Sequence, residues 1–351
     1  MAQNKTLTYL AHPSEKIVSG EHIGIKKSTF DLEQAPPSGG VTIKIHYVSF
    51  DPYQRGRMRP SHFKSYNPAY ELNSAITNGG IATVLKSDNP NFKAGDQIVS
   101  LFQIPTAEYA ALPKEVADSA TVIDNPYNLD VKHFLGPLGM PGLTAYSSFY
   151  DIGAPKKGDT IFISSAAGPV GQLVGQLAKH EGLTVIGSVG DDAKLGFITK
   201  DLKFDAGFNY KKEKPLDALK RLAPNGVDIY YDNVGGEQLE AAITCMNNFG
   251  RIVACGMISQ YNLLPGNQYP IRNLMQIISK RLTMRGFIVD DANMGPRYAV
   301  EHQQKVQEWL GGGIFKATVD VTKGIDNAAQ RLVSLFKGRS FGKAVLEVDR
   351  P

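Results

Sequence analysis

From residue 160 onward the hydrophobic pattern changes its period, and that change limits the fold more than any other feature of the chain. The run 160–164 (TIFIS) is compact and apolar, and it passes directly into Ser165-Ala166-Ala167-Gly168-Pro169-Val170-Gly171. Residues 168–180 then carry Val170, Leu173, Val174, Leu177 and Ala178 at helical spacing. The next apolar run is 183–189. Strand-like runs follow at 206–209, 227–231, 251–254 and 282–289, with helical spacing at 194–199, 215–222, 237–246, 271–279 and 297–310. Short apolar runs joined by helices are the pattern of parallel strands with crossover connections. Six such runs predict an α/β domain built on a Rossmann doubly wound parallel sheet.

The flanks read differently. Before residue 131 the segments are short and alternating: 41–48 (VTIKIHYV), 81–85 after Gly79-Gly80, 97–101 after Gly95-Asp96, and 107–112 before Pro113. Short strands at this spacing predict an all-β, β-barrel-like unit. After Gly311-Gly312-Gly313 come a strand-like run at 316–321, a helical one at 328–336 and a last strand at 344–348. A chain of 351 residues is long enough for two domains. We expect residues 1–130 and 316–351 to form one domain and 131–315 to form a dinucleotide-binding domain inserted between them.

Composition removes several function classes. The formal charge of +4 over 351 residues is too mild to point to nucleic acid or an acidic membrane. Two cysteines, Cys245 and Cys255, cannot build a disulfide framework or a Cys-rich zinc site, and the seven histidines show no metal-ligand spacing. No metal is expected. The N-terminus has no apolar core of a leader, no run approaches membrane-span length, and the two thiols fit a reducing compartment. The expected setting is cytoplasmic.

The glycine turn carries the chemistry. Aligned on its last glycine it reads G-x-G-x-x-G with Ala166 in the first slot, between a buried strand and a helix. Such a turn lets the backbone of Gly168 approach a pyrophosphate, aims a helix N-terminus at its charge, and lets the helix pack closely at Gly171. NAD enzymes place an acid at the end of the second strand to hold the ribose 2′-hydroxyl. Here that strand ends Gly187-Ser188-Val189-Gly190, followed by Asp191, Asp192 and Lys194. The missing acid leaves room for a 2′-phosphate and favours NADP(H), with Lys194 as its point-charge partner. The plainer alternative makes Asp191 a helix cap and Lys194 an exposed helix lysine. A second motif, Gly338-Arg339-Ser340-Phe341-Gly342, matches the G-x-S-x-G of hydrolases, but a helix leads into a strand there and the elbow needs the reverse order.

Taken together, the order of barrel, Rossmann unit and returning tail resembles the medium-chain dehydrogenase/reductase superfamily, which implies that the β-barrel-like unit is a GroES-like catalytic domain. Within it the chain is similar to the zinc-free prostaglandin (leukotriene B4) reductases and NADPH-dependent alkenal/one double-bond reductases. The matching segments are Val48-Ser49-Phe50-Asp51-Pro52-Tyr53, Leu138-Gly139-Met140-Pro141-Gly142, the glycine turn, Phe208-Asn209-Tyr210, Asp232-Asn233-Val234-Gly235-Gly236, Gly256-Met257-Ile258-Ser259-Gln260-Tyr261-Asn262 and Arg285-Gly286-Phe287. The resemblance implies that Lys194 and Tyr210 hold the 2′-phosphate, that Gly168 and Val170 approach the pyrophosphate, and that Asn233 lines the cofactor cleft. It also implies that the backbone around Phe287 and Val289 receives the nicotinamide amide, and that Tyr53 and Tyr261 face the substrate. One departure stands in the tail, where Ser340 occupies the position of an expected Asn. The zinc enzymes' Gly-His-Glu motif is replaced by Gly79-Gly80.

Without zinc, a simple ketone lacks its usual Lewis acid. An activated C=C needs less, since hydride at the β-carbon leaves a delocalised enolate that a hydroxyl donor can stabilise. The expected reaction is therefore NADPH-dependent reduction of α,β-unsaturated aldehydes or ketones, with Tyr261 as the donor and Tyr261 or water protonating the α-carbon. The rival readings are a zinc-free quinone reductase and a non-catalytic NADPH-binding protein. A homodimer is expected from the resemblance.

Overall fold

In the first hundred residues, alternating β-branched and aromatic residues build sheet. The computed structural model describes residues 1–348. Strands β1 (Ala2–Tyr9) and β2 (Ile23–Phe30) pair antiparallel along their full length, from Ala2 opposite Phe30 to Tyr9 opposite Ile23. Neither strand stands out in the sequence, because their buried positions are only partly apolar: Leu7, Tyr9 and Ile23 are joined by the polar Asn4 and Thr8. Strand β3 (Val41–Ser49) is followed by a single helical turn, α1 (Gln54–Arg57), and then by β4 (Thr77–Ser87) and β5 (Gln97–Pro105). Strand β6 (Tyr109–Leu112), the short helix α2 (Lys114–Ala117) and β7 (Thr121–Val122) complete this stretch. Ile43, Ile45, Val84, Ile98 and Ile104 from these strands are fully or almost fully buried in one core.

Helix α3 (Met140–Ser148) leads into the parallel sheet. Its alternating elements are β8 (Thr160–Ile163), α4 (Pro169–His180), β9 (Thr184–Val189), α5 (Asp192–Gly196), β10 (Ala206–Asn209) and α6 (Pro215–Leu222). They continue with β11 (Val227–Asp232), α7 (Gly236–Cys245), β12 (Met246–Ala254), α8 (Met275–Ser279), β13 (Thr283–Gly286) and α9 (Gly295–Gly311). The six strands lie in the order β10-β9-β8-β11-β12-β13, all parallel. This is the expected doubly wound sheet. Its winding reverses between β8 and β11, so the loops after those two strands diverge and leave a crevice at their carboxyl ends. Phe162 of β8 stacks on Tyr230 of β11, ring centroids 5.0 Å apart and 12° from parallel, in the core of this sheet.

Two segments are shorter than the periodicity suggests, and a third changes its helical form. The helix expected at 271–279 begins only at Met275; ahead of it, Glu240 on α7 takes the Arg272 N–H at 2.7 Å, which is then not free for a helical bond. The last strand ends at Gly286, where the chain turns away through an Asp291 N–H to Ile288 carbonyl bond of 3.1 Å. Helix α5 ends at Gly196 and the helix widens into a π-turn through Asp201.

The tail adds β14 (Val319–Lys323), α10 (Ala328–Leu335) and β15 (Lys343–Glu347). Strand β15 pairs with β3, so the second sheet runs β14-β15-β3-β4-β5-β7, with β6 also on β3. Helix α10 leads into β15 through Gly338 and Gly342, both at positive φ, so Ser340 lies in a helix-to-strand turn and forms no nucleophile elbow. The chain forms two compact units, Met1–Leu135 with the chain from Val319 on, and Gly136–Thr318. Among the described residues no helix is long and apolar enough to cross a membrane.

His302 on α9 is 1% exposed, and its Nε2 lies 2.8 Å from the Pro137 carbonyl while Gln303 Nε2 donates to Nδ1 at 3.3 Å. The ring is thus a neutral imidazole with its proton on Nε2. Burial lowers its pKa to about 4. The unfolded chain, with His near 6.5, binds the extra proton first, so stability is complete above about pH 6.5 and falls as pH drops towards 4. Urea midpoints measured between pH 7 and pH 4 should fall by an amount equivalent to about 3 kcal/mol from this group. In His302→Gln the pH dependence should be correspondingly flatter.

Candidate functional site

The turn after β8 is built from backbone. Ser165 takes a left-handed φ of 51°, and the Gly168 N–H closes the turn on the Ser165 carbonyl at 2.9 Å. The strained conformation thus falls on Ser165, one residue before the Ala166 slot in which the sequence reading placed the tight turn. Gly168 is the extended N-cap of α4, Pro169 occupies the first helical position, and no side chain caps this helix end. The first N–H groups of a twelve-residue helix are therefore presented to whatever lies beyond the turn. Val170 is partly exposed there. A Cβ on Gly171 would lie 2.6 Å from the Ser165 carbonyl oxygen and 2.8 Å from Ala166 Cα, so only glycine lets the helix sit this close to the turn. Gln172 locks the arrangement by donating to the Ala167 carbonyl at 2.9 Å. An uncapped helix end behind a tight backbone turn fits a pyrophosphate.

At the end of β9 the strand gives way to Gly190. A Cβ there would lie 3.0 Å from the Tyr210 hydroxyl, so an acid at this position would have to displace the tyrosine. Asp191 caps α5 by accepting the Lys194 N–H at 2.9 Å, as the plainer alternative had it. The lysine departs from that alternative: its side chain is only 10% exposed, with Nζ 3.5 Å from Asp191 Oδ2. Tyr210 is 41% exposed, and burial together with the Asp191 charge raises its pKa, which keeps the phenol neutral. The structure therefore gathers Lys194, Tyr210 and Gly190 around Asp191. A 2′-phosphate fits the ammonium and the phenol, with the Asp191 carboxylate as its competitor for Lys194.

Across the switch point, the turn after β11 is held by its own carboxyl. Asp232 is fully buried, and its Oδ1 accepts from Tyr230 hydroxyl at 2.8 Å, Val234 N–H at 2.9 Å and Gly235 N–H at 2.7 Å. Its Oδ2 is buried without a partner, and burial raises the acid's pKa. Asn233 ties the two strand ends together: its N–H donates to Ser164 Oγ at 2.9 Å and its Nδ2 to the Ser164 carbonyl at 2.8 Å. Tyr261 lies beyond β12, where its hydroxyl accepts the Met257 N–H at 3.1 Å. After β13, Ile288 already uses its N–H and carbonyl on Asp291, and the Val289 carbonyl accepts from Gly295 at 2.8 Å. An amide would thus meet the backbone of Phe287 or the N–H of Val289.

The first unit contains a polar network that the sequence did not reveal. Lys343, 1% exposed, donates to Asp51 Oδ1 and to the Phe50 carbonyl at 3.2 Å. Asp51 Oδ2 accepts from Ser49 Oγ at 2.8 Å and from Asn78 Nδ2 at 2.9 Å. Tyr53 donates its hydroxyl proton to Asn78 Oδ1 and packs edge-on against Phe102. Burial first, then Tyr70 and Asp51, push the Tyr53 phenol well above its usual value, against the pull of Arg57. Its proton is therefore held inward at any working pH. Burial also draws Lys343 below its ordinary value, opposed by Asp51. Nothing in the local sequence marks Lys343 as wholly interior. Ser340 keeps a buried hydroxyl with no hydrogen-bond partner among the described residues. At Gly79, a Cβ would lie 2.8 Å from the Leu101 carbonyl oxygen, which leaves no space for a histidine ligand.

Comparison with known proteins agrees with this architecture. Residues 169–305 match the zinc-binding dehydrogenase family, and residues 19–117 match the N-terminal domain of oxidoreductases. The chain is 51% identical over 348 residues to an NADP-dependent oxidoreductase of Cochliobolus heterostrophus, spanning 99% of this chain and 98% of the relative. It is 41% identical over 329 residues to the NADP(+)-dependent 2-alkenal reductase of Nicotiana tabacum, spanning 93% and 92%. The crystal structure of CurA from Vibrio vulnificus in complex with NADPH has a TM-score of 0.89 at 30% identity, covering 99% of this chain and 100% of that one. With these matches along its full length and its doubly wound sheet, the chain belongs to the medium-chain dehydrogenase/reductase family, in the zinc-free double-bond reductase branch.

Proposed function

We propose that the protein reduces the C=C bond of α,β-unsaturated aldehydes and ketones with NADPH. The observation that carries the reading is Tyr261, a phenol whose oxygen accepts the Met257 N–H and whose single proton is its one donor. Bound NADPH would supply the hydride that reaches the substrate's β-carbon. The residues that would hold it are Gly168, Val170 and Gly171 at the pyrophosphate, Lys194 and Tyr210 at the 2′-phosphate, Asn233 along the cleft, and the backbone of Phe287 and Val289 at the nicotinamide amide.

The chain's own work is to stabilise the charge that develops on the carbonyl oxygen. A fixed hydroxyl donor does this without reorganisation. Tyr261 is that donor, and the Met257 N–H steadies negative charge on the phenol oxygen as the proton moves outward. Tyr261 or water then protonates the α-carbon. Tyr53 is a substrate-facing residue of the neutral kind, its proton committed to Asn78.

The same reading makes the protein a cytoplasmic homodimer. Strand β13 is an edge of the parallel sheet, and Met275 (74% exposed), Ile278 (70%) and Met284 (36%) lie on or just before it. An open edge beside apolar side chains is a surface that a second copy would cover. Analytical ultracentrifugation should give twice the chain mass. Met284→Lys together with Ile278→Lys should shift the protein to monomer.

The absorbance of NADPH followed against enals, enones, quinones and saturated ketones tests the reaction. Oxidation with enals and enones is expected. Turnover with quinones alone would make the protein a quinone reductase, ketones alone would overturn the reading, and binding of NADPH without turnover would leave a non-catalytic protein. Tyr261→Phe should lower kcat on an enone roughly a hundredfold, and full turnover would reduce Tyr261 to a wall residue. Lys194→Ala should raise KM for NADPH about tenfold, the loss of one charge-assisted contact, with KM for NADH little changed. Equal use of both cofactors by the native protein would sink the assignment of Lys194.

A further inference from the structure

The turn at 232–236 and the segment at 255–261 run side by side beyond the ends of β11 and β12, bonded at each step. The Cys255 and Gly256 N–H groups donate to the Asp232 carbonyl at 3.0 and 2.9 Å, Ile258 N–H to Asn233 at 3.3 Å and Ser259 N–H to Val234 at 3.2 Å. Ser259 Oγ adds a second, shorter bond to the Val234 carbonyl at 2.6 Å and accepts from Gln260 Nε2 at 2.6 Å. Gln260 Oε1 in turn accepts the Tyr269 N–H at 2.8 Å.

The two glycines of the turn are shaped to receive this segment. Gly235, at φ 68°, would place a Cβ 2.8 Å from Met257 Cβ, and one on Gly236 would lie 2.8 Å from Gln260 Nε2 and 3.2 Å from Ser259 Oγ. The segment closes on itself at Tyr261, whose hydroxyl sits 3.1 Å from Met257 N and 3.1 Å from where a Cβ on Gly256 would be. Any side chain at 256 would press on that hydroxyl.

We propose that the Asp232–Gly236 turn acts as the mould that positions Tyr261, with Ser259 and Gly256 as positioning residues for its hydroxyl. This rests on the reading of Tyr261 as the oxyanion donor. The turn's bonds fix the backbone from 255 to 259, that backbone fixes the Met257 N–H, and the N–H fixes the phenol oxygen. Rotational freedom of the O–H is thereby narrowed to the direction in which it can donate. Asn233 of the turn lines the proposed cofactor cleft in either case; the competing role for Ser259 and Gly256 is to shape that cleft, in which case their substitution would appear in NADPH affinity.

Ser259→Ala separates the two, because Ser259 is exposed and, among the described residues, its side chain bonds only to Val234 and Gln260. The expected result is a roughly tenfold loss of kcat on an enone at saturating NADPH, as a small misplacement of a catalytic group produces. The Kd for NADPH from fluorescence titration and the Tm should be unchanged, and Ser259→Thr should restore turnover. In a Tyr261→Phe background Ser259→Ala should add less than about a twofold effect, the mark of residues acting as one unit. Gly256→Ala should reproduce the kcat loss and its disappearance in that background. An unchanged kcat in both single variants, a weaker NADPH Kd with kcat intact, or a loss that persists undiminished without the Tyr261 hydroxyl would each overturn the positioning role. Full activity of Tyr261→Phe alone would overturn the donor reading, and the mould with it, whatever Ser259 does.

Discussion

Two hydrogen bonds from Asn233 to Ser164 hold together the ends of β8 and β11, and the chemistry of the parallel sheet is organised around that junction. In a doubly wound sheet the connections leave adjacent strands in opposite directions at one point only, so a crevice opens there without any side chain being spent to make it. The glycine turn lies on one side of this point and the Asp232 turn on the other. Both consist mainly of backbone groups, whose directions are set by the strands beneath them. The proposed pyrophosphate site needs N–H groups held in place, and the proposed Tyr261 donor needs its oxygen held in place; the two turns at this junction would serve both.

The first unit depends on a different constraint, the pair of Lys343 with Asp51. Removing both charges from water is costly, and such a pair seldom adds net stability over an apolar replacement. Its effect is to demand one arrangement: Asp51, already held by Ser49 and Asn78, meets Lys343 only if β15 lies against β3 in the observed register. A one-residue slip would turn Lys343 out of the core and leave Asp51 uncompensated. The tail is thus tied to β3 by polar specificity as well as by the apolar contacts of Val345 and Leu346. Tyr53 joins this network by donating its hydroxyl proton to Asn78 Oδ1, whereas the Tyr261 oxygen is seen as an acceptor of the Met257 N–H.

Much of this was legible before any coordinates. The six parallel strands and the helices between them follow from runs such as TIFIS and from the spacing of Val170, Leu173, Val174 and Leu177, because burial of one face imposes its period on the sequence. Boundaries were less legible wherever a distant side chain intervened. Glu240 takes the Arg272 N–H ahead of helix α8, and no local propensity could announce that. The pairing of β1 with β2 was missed because a strand with few buried apolar residues barely departs from a polar loop in composition.

At the site the division is similar. The sequence by itself determined the parallel sheet, the glycine turn at its switch point and the absence of an acid at the end of the second strand, since each is a local pattern that backbone sterics and burial write directly into residue order. Only the tertiary structure decided that Lys194 is almost buried beside Asp191, that Lys343 is interior, and that Tyr53 and Tyr261 present opposite hydrogen-bonding faces. Those properties depend on which groups from distant parts of the chain meet, and the polarity of a phenol is set by the partner that takes its proton or fills its lone pair. Residue type names the group; the fold chooses its direction.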